Sequence, residues 1–453
     1  MKDSGRIKSV MDKAIEQAVA AVDGRVDAYE VYVAFNRGKG VESKGLKADS
    51  IKVRSGFGVG LRTLKSARPG FSFTTVTNEA AIKKMADDAL TGSIGASEDE
   101  FIVFPKAGSA READLGLTDA SFDDTTDEKI IDTAVCIERE ARDYDKRITR
   151  VRKASYGENY ACARLVNSSG VDVFSEATFY SGSVMAVAEE AGISEMGWDA
   201  DFSHKRGGVD CAFVGRSAAE RAVEMLGAKT MGTIKCKAVF ENTIVIEFLE
   251  ALSSSFLGDN VVKGKSMLKD KLGKKVASSI VSIYDDGLMP GGWGSSLYDS
   301  EGVPRIKTAL IKDGMCETFL YDSYWARRAG KASTGSAGRG GFKGSPYVTT
   351  SNLYMEKGSV PFDELLKGMG KGLIIKSILG AHTIDSVSGD FSLGASGLWV
   401  EDGKVAYPVR GMAIAGNLIE LFSSVEAVGS DMRLMGSTGA PSVLVGSIEA
   451  SGA

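Results

Sequence analysis

The chain has 453 residues, 43% hydrophobic and 25% charged, with a formal net charge of −5. That length exceeds one ordinary core and calls for two or three domains. Lys and Arg are scattered among Asp and Glu rather than gathered on a basic face, which argues against direct nucleic-acid binding.

Glycine makes up about 12% of the chain against the usual ~7%, with 54 residues, while proline is scarce at 8. The glycines stand beside β-branched and aromatic residues, a pattern that favours strands joined by tight turns and bulges. Five widely spaced cysteines without a C-x-x-C pair read as reduced, mostly buried thiols. Residues 1–22 contain Asp3, Asp12 and Glu16 and lack a continuous apolar run, so no signal peptide is expected. No apolar stretch approaches the roughly 20 residues that span a bilayer. A cytoplasmic protein is the expectation.

In chain order, Ile7, Met11, Ala14, Ile15, Ala18 and Val22 keep the 3,4 spacing of a helix with one buried stripe, stopped by Gly24. Alternation at Tyr29, Val31, Val33 and Phe35 predicts a strand. Further strands are expected at 50–53, 56–62 and 70–76, with Ala67-Arg68-Pro69-Gly70 as a turn and Thr77 capping a helix to about Leu90. An acidic stretch over 97–127 reads as a connecting loop, followed by a helix from Asp127 to about Tyr144 with acid at its positive end. Residues 148–189 read as a β-meander broken at Tyr156-Gly157, Asn167–Gly170 and Ser181-Gly182. Ser217-Ala218-Ala219-Glu220 has the form of a capping box opening a helix that ends at Gly227. From about Cys236 the text is again β-prone and glycine-rich, with helices at Thr243–Phe256 and Phe362–Met369. The expected class is α+β: an N-terminal α/β unit with an antiparallel sheet, then a β-rich C-terminal part forming a curled sheet or partial barrel. Expected domains are 1–110, a middle meander with flanking helices at 111–230, and a β-dominated domain at 231–453.

Catalytic material is thin. His204 and His382 are the only histidines, and neither stands in an H-x-x-x-H or H-E-x-x-H arrangement. His204 reads as a surface-loop residue and His382 as a loop or strand-end residue. No G-x-S-x-G elbow is present, and the glycine-rich run 333–341 lacks the G-K-[ST] ending of a phosphate loop. From residues alone the reading stops at a glycine-rich α+β protein.

A series of strings then carries a resemblance. In order they are Gly56-Phe57-Gly58-Val59-Gly60-Leu61-Arg62, Val262–Leu268, Tyr298-Asp299-Ser300-Glu301-Gly302-Val303, Ser333-Thr334-Gly335, Thr350-Ser351-Asn352-Leu353, Gly389-Asp390-Phe391-Ser392, Ala415-Gly416-Asn417-Leu418 and Val428-Gly429-Ser430-Asp431. The chain resembles the TldD/PmbA peptidase family, also described as modulators of DNA gyrase, over about residues 25–445. The resemblance implies two kinds of subunit. The TldD kind carries zinc on an H-E-x-x-x-H helix completed by a cysteine near the C-terminus, and the PmbA (TldE) kind lacks these ligands. Anchored on Gly258-Asp259, the histidine positions fall on Leu249 and Ser254 and the glutamate on Glu250, and no cysteine follows Cys316. The expectation is therefore a PmbA-type, non-catalytic subunit with no metal or catalytic residue of its own. It would cleave peptides or unfolded segments only as a heterodimer with a zinc-bearing TldD-type partner.

Candidate chamber or interface residues by this resemblance are Glu250, Asp299, Glu301, Ser333, Thr334, Asn352, Asp390 and Ser392. Gly-Asp and Ser-Thr-Gly strings also satisfy turns through their side chains, and Glu250 without a metal reads as a helix-surface or interface carboxylate. The alternative is an autonomous homodimeric scaffold that captures peptides on a sheet edge without proteolysis. A serine hydrolase using Ser333 or Ser392 with a histidine is a further possibility, though two loop histidines are poor general bases.

Overall fold

A computed structural model describes residues 4–109 and 112–452. The expected N-terminal helix is α1 (Ser4–Val22), whose Met11, Ala14, Ala18 and Val22 are buried. It is followed by β1 (Ala28–Ser43), β2 (Ala48–Lys65), β3 (Arg68–Thr74) and α2 (Glu79–Gly95), the last capped by Asn78 rather than Thr77. Next come α3 (Asp127–Asp143), β4 (Ile148–Asn167), β5 (Asp172–Glu190), β6 (Ile193–Ser203) and α4 (Cys211–Glu224). The sheet runs β3-β2-β1-β4-β5-β6, antiparallel throughout, and curls into a half-barrel. Strands from both halves of the first 200 residues thus share one sheet and one core.

Three local readings change. Pro69 and Gly70 lie in edge strand β3, where a missing N–H is tolerated, and the turn is Ser66–Ala67, both with positive φ. Gly70 is where helix and strand touch, since a Cβ there would stand 2.0 Å from the Ala89 carbonyl oxygen. The supposed breaks at Tyr156-Gly157 and Ser181-Gly182 are paired with each other across β4 and β5. Gly182 leaves room for Ile137 and Val209, so this glycine serves packing rather than a turn. Ser217 is inside α4, which starts six residues earlier at an Asp210 cap; its hydroxyl is donated to Asp199 at 2.5 Å.

The second half begins with β7 (Ile234–Phe240), α5 (Asn242–Ser253) and α6 (Gly258–Val262). Then come β8 (Ile283–Asp286), β9 (Lys307–Lys312), β10 (Met315–Cys316), α7 (Ser323–Ala329), β11 (Ala337–Gly338), β12 (Tyr347–Val348), β13 (Leu353–Met355) and α8 (Phe362–Met369). The chain ends with β14 (Gly372–Leu379), β15 (Asp390–Glu401), β16 (Lys404–Asn417), α9 (Leu418–Ser423), β17 (Val425–Val428), β18 (Arg433–Met435), β19 (Thr438–Ala440) and β20 (Val443–Gly452). Strands β16-β15-β14-β7-β20 close into a barrel through pairing of β16 with β20, from Met412↔Gly452 to Ala415↔Glu449. The expected curled sheet is therefore fully closed here, which leaves those strands no free edge. A second sheet, β10-β9-β8-β13-β19-β18, packs beside α5. Ile244, Phe248, Leu249 and Leu252 of that helix join Phe240 and Ile375 in the core between them. No helix among the described residues is long and apolar enough to cross a membrane.

Candidate functional site

The helix α5 is apolar on the side that meets the barrel, and its other side turns Glu247 and Glu250, one helical turn apart, toward a cavity of about 780 Å³. The facing wall is β6, with Met196 and Trp198 exposed into the cavity; Leu379 of β14 and Met435 of β18 add apolar surface. Strand alternation explains this wall: Gly197 and Asp199 point to α4, so Met196 and Trp198 point away from it.

Behind the cavity runs a chain of alternating charge. Arg433 pairs with buried Asp199, at 3.1 Å for Nη1 to Oδ2. Arg221 lies 3.5 Å from Asp199 and 2.7 Å from Glu241, and Lys376 bridges Glu241 at 3.3 Å and Glu224 at 2.5 Å. Burial raises the Glu241 carboxyl, but Lys376 and Arg221 outweigh it and hold the group below its ordinary value. Glu247 differs: burial, helped by the Glu250 charge, pushes it up to about 7. Burial also raises Glu250, against a hydrogen bond with the Thr438 side chain.

The other predicted residues separate into three places. Glu301, Ser333 and Thr334 meet at residues 321–323, where α7 begins, Asp299 holds the neighbouring 301–303 and 337 backbone, and all four bind backbone. Asp299 accepts the N–H groups of Glu301, Val303 and Ala337 at 2.8–3.0 Å. Glu301 accepts the Ser323 N–H at 2.8 Å, and Thr334 Oγ1 accepts that of Tyr321 at 2.8 Å. Ser333 donates to the Tyr321 carbonyl at 3.1 Å. Burial and the charges of Asp299 and Asp322 raise the Glu301 carboxyl. Asn352 stands apart, donating to the Asp286 carbonyl and to Ser295 while accepting the Gly294 N–H. Asp390, exposed at the start of β15, accepts from Asn417 Nδ2 at 2.8 Å, and Ser392 is exposed beside it.

Sequence reasoning missed Glu247 as a site residue and misplaced His204. That histidine is buried, its ring nitrogens against the carbonyl oxygens of Thr178 (2.6 Å) and Gly292 (3.1 Å), and it packs on Phe179 and Trp293. It pins the 291–296 loop to β5. The signal for Glu247 was legible as a pair of acids three apart on an otherwise apolar helix.

The zinc site that the resemblance gives to the TldD kind does not fit these residues. Leu249 is fully buried in the core. Ser254 Oγ is buried without a hydrogen-bond partner among the described residues, but it is a single weak donor. Among the described residues no three His, Cys, Asp or Glu side chains are grouped to hold a metal ion.

Residues 29–92, 120–226 and 233–452 match, in turn, domain 1, the central domain and the C-terminal domain of the PmbA/TldA metallopeptidases. The chain is 27% identical to metalloprotease PmbA of Escherichia coli O157:H7, over 98% of this chain and 97% of that protein. It is 30% identical to the metalloprotease PmbA homolog of Buchnera aphidicola subsp. Baizongia pistaciae, over 71% and 70% of the two. A crystal structure from Thermotoga maritima, described as a modulator of DNA gyrase, superposes with a TM-score of 0.90 at 27% identity, covering 97% of this chain and 100% of that one.

Proposed function

The chain belongs to the PmbA/TldA metallopeptidase family, and we propose that it is a PmbA-type subunit that handles peptides without holding the metal. The observation that carries this is the α5 helix. The positions that resemble the family's metal-binding histidines are a core leucine and a serine, while Glu250 keeps its place facing an open cavity. A carboxylate there has no metal-bound water to act on as general base, so it serves as wall rather than catalyst. Hydrolysis would come from a TldD-type partner carrying zinc, and the natural ligand would be an extended peptide or unfolded segment. Of the candidate residues, Glu250 is assigned to the chamber. Asp299, Glu301, Ser333, Thr334 and Asn352 are assigned to holding the loops that shape it, because their polar atoms are engaged with backbone or neighbouring side chains.

Pairing tests the proposal. The chain and a TldD-type subunit, mixed at micromolar concentration, are expected to co-elute as one complex on size exclusion. Separate elution of the two, with the chain alone forming a homodimer that binds peptides, would replace this reading with that of an autonomous scaffold.

A further inference from the structure

The charges lining the α5 cavity do not cancel. Glu195 is held by Arg410 at 3.0 Å, Asp199 by Arg433 and Arg221, and Lys376 by Glu224 and Glu241. What remains is the acid pair on α5. Glu247 has no hydrogen-bond or ion-pair partner among the described residues, and Glu250 faces only a hydroxyl. The surrounding surface is unusually apolar for solvent-facing side chains, with Met196 57%, Trp198 47% and Leu379 73% exposed. Two carboxylates alone fall short of the three or four ligands a zinc ion takes. They do match a single ammonium or guanidinium group, which gains charge-assisted hydrogen bonds from carboxylates and a favourable face from an indole such as Trp198. A cavity of about 780 Å³ lies within the ~300–1,000 Å³ of pockets that enclose small ligands, enough for a few peptide residues and too small for a folded domain.

We propose that this cavity binds a lysine or arginine side chain of an extended peptide, its cationic head on Glu247 and Glu250 and its apolar neighbours on Met196, Trp198 and Leu379. The proposal rests on the reading of the chain as a peptide-handling subunit and adds a preference to it: the non-metal subunit selects segments with a basic residue among apolar ones.

The test is calorimetric titration of the chain, alone and mixed with a TldD-type subunit, at pH 8 and low salt. The probes are acetyl-Ala-Leu-Lys-Leu-Ala-amide and the same peptide with norleucine in place of lysine. The lysine peptide is expected to bind about tenfold tighter or more, the scale of one charge-assisted contact. The Glu247→Gln/Glu250→Gln double variant is expected to erase that preference while leaving the thermal unfolding cooperative. Trp198→Ala is expected to weaken both peptides. Equal affinity for the two peptides, no binding of either, or a lysine preference that survives in the double variant would overturn the proposal. Size exclusion of the same mixtures reports pairing independently, so a chain that prefers lysine but does not pair overturns the subunit reading alone.

Discussion

Arg339 and Glu30 lie 309 positions apart in the chain and meet in a buried ion pair at 2.5 Å. Arg62 approaches the same carboxylate at 3.2 Å, and the Arg339 guanidinium lies over the Tyr32 ring at 4.6 Å. Burial raises the Glu30 carboxyl, but the two guanidinium groups outweigh it and keep it below its ordinary value. The glycine-rich run after Ser333, which lacks the ending of a phosphate loop, is thereby fastened to β1.

Removing the shared acid leaves two cations facing each other with little water. Glu30→Gln is therefore expected to cost about 3–5 kcal/mol of unfolding free energy. Arg339→Met leaves Glu30 still paired with Arg62, and its cost is expected to be about half as large. Urea denaturation of the two variants measures both; equal costs would mean that Arg62 does not share the load.

Just beyond Arg339, Phe342 lies on two glycines of β2. A Cβ on Gly58 would stand 2.3 Å from its ring, and one on Gly60 2.4 Å from its carbonyl oxygen. The ring can shift and the backbone cannot, so Gly60→Ala is expected to lift residues 339–343 off the sheet at a cost of about 1–3 kcal/mol. Limited trypsin digestion should then cut faster after Lys343 in Gly60→Ala than in the parent chain, with unchanged kinetics counting against the contact.

Glu247 gives the fold a pH signature. Its carboxyl sits at about 7 in the folded chain, against an ordinary value near ~4.3 when unfolded. The groups facing it are Glu250 on its own helix, Glu195 and Asp199 on β6, Arg221 on α4 and Lys376 on β14. A raised carboxyl contributes stability that is fully present below its unfolded value and is lost as pH rises through about 7. Because the group is partly exposed, the loss is discounted for screening to roughly 1 kcal/mol. Denaturation midpoints of the parent chain should fall relative to Glu247→Gln between pH 5 and 8. Parallel profiles would show that the environment of Glu247 is wetter than its position indicates.

Much of this architecture is readable from spacing. Helices α3 and α8 begin where acid and apolar periodicity place them, because capping and amphipathic burial are local effects. Glycine is where local reading fails. Gly70, Gly157 and Gly182 look like turn residues, but Gly70 and Gly182 make room for a helix carbonyl and two side chains contributed by distant segments. His204 failed for the same reason: both carbonyls that bind it come from elsewhere in the chain. In the candidate site, Glu250 is named by the resemblance, and the fold puts it on the wall of a cavity. Glu247 shows in the sequence only as an acid three residues before Glu250, and it is β6 on the opposite wall that makes the pair part of a cavity.

The most direct measurement is zinc content together with peptidase activity, made on the chain alone and again after mixing with a TldD-type subunit. The isolated chain is expected to hold no stoichiometric zinc and to cleave nothing, with cleavage appearing in the mixture and its zinc traced to the partner. One equivalent of zinc bound by this chain, or peptide cleavage by it alone, would contradict the assignment of a non-metal subunit.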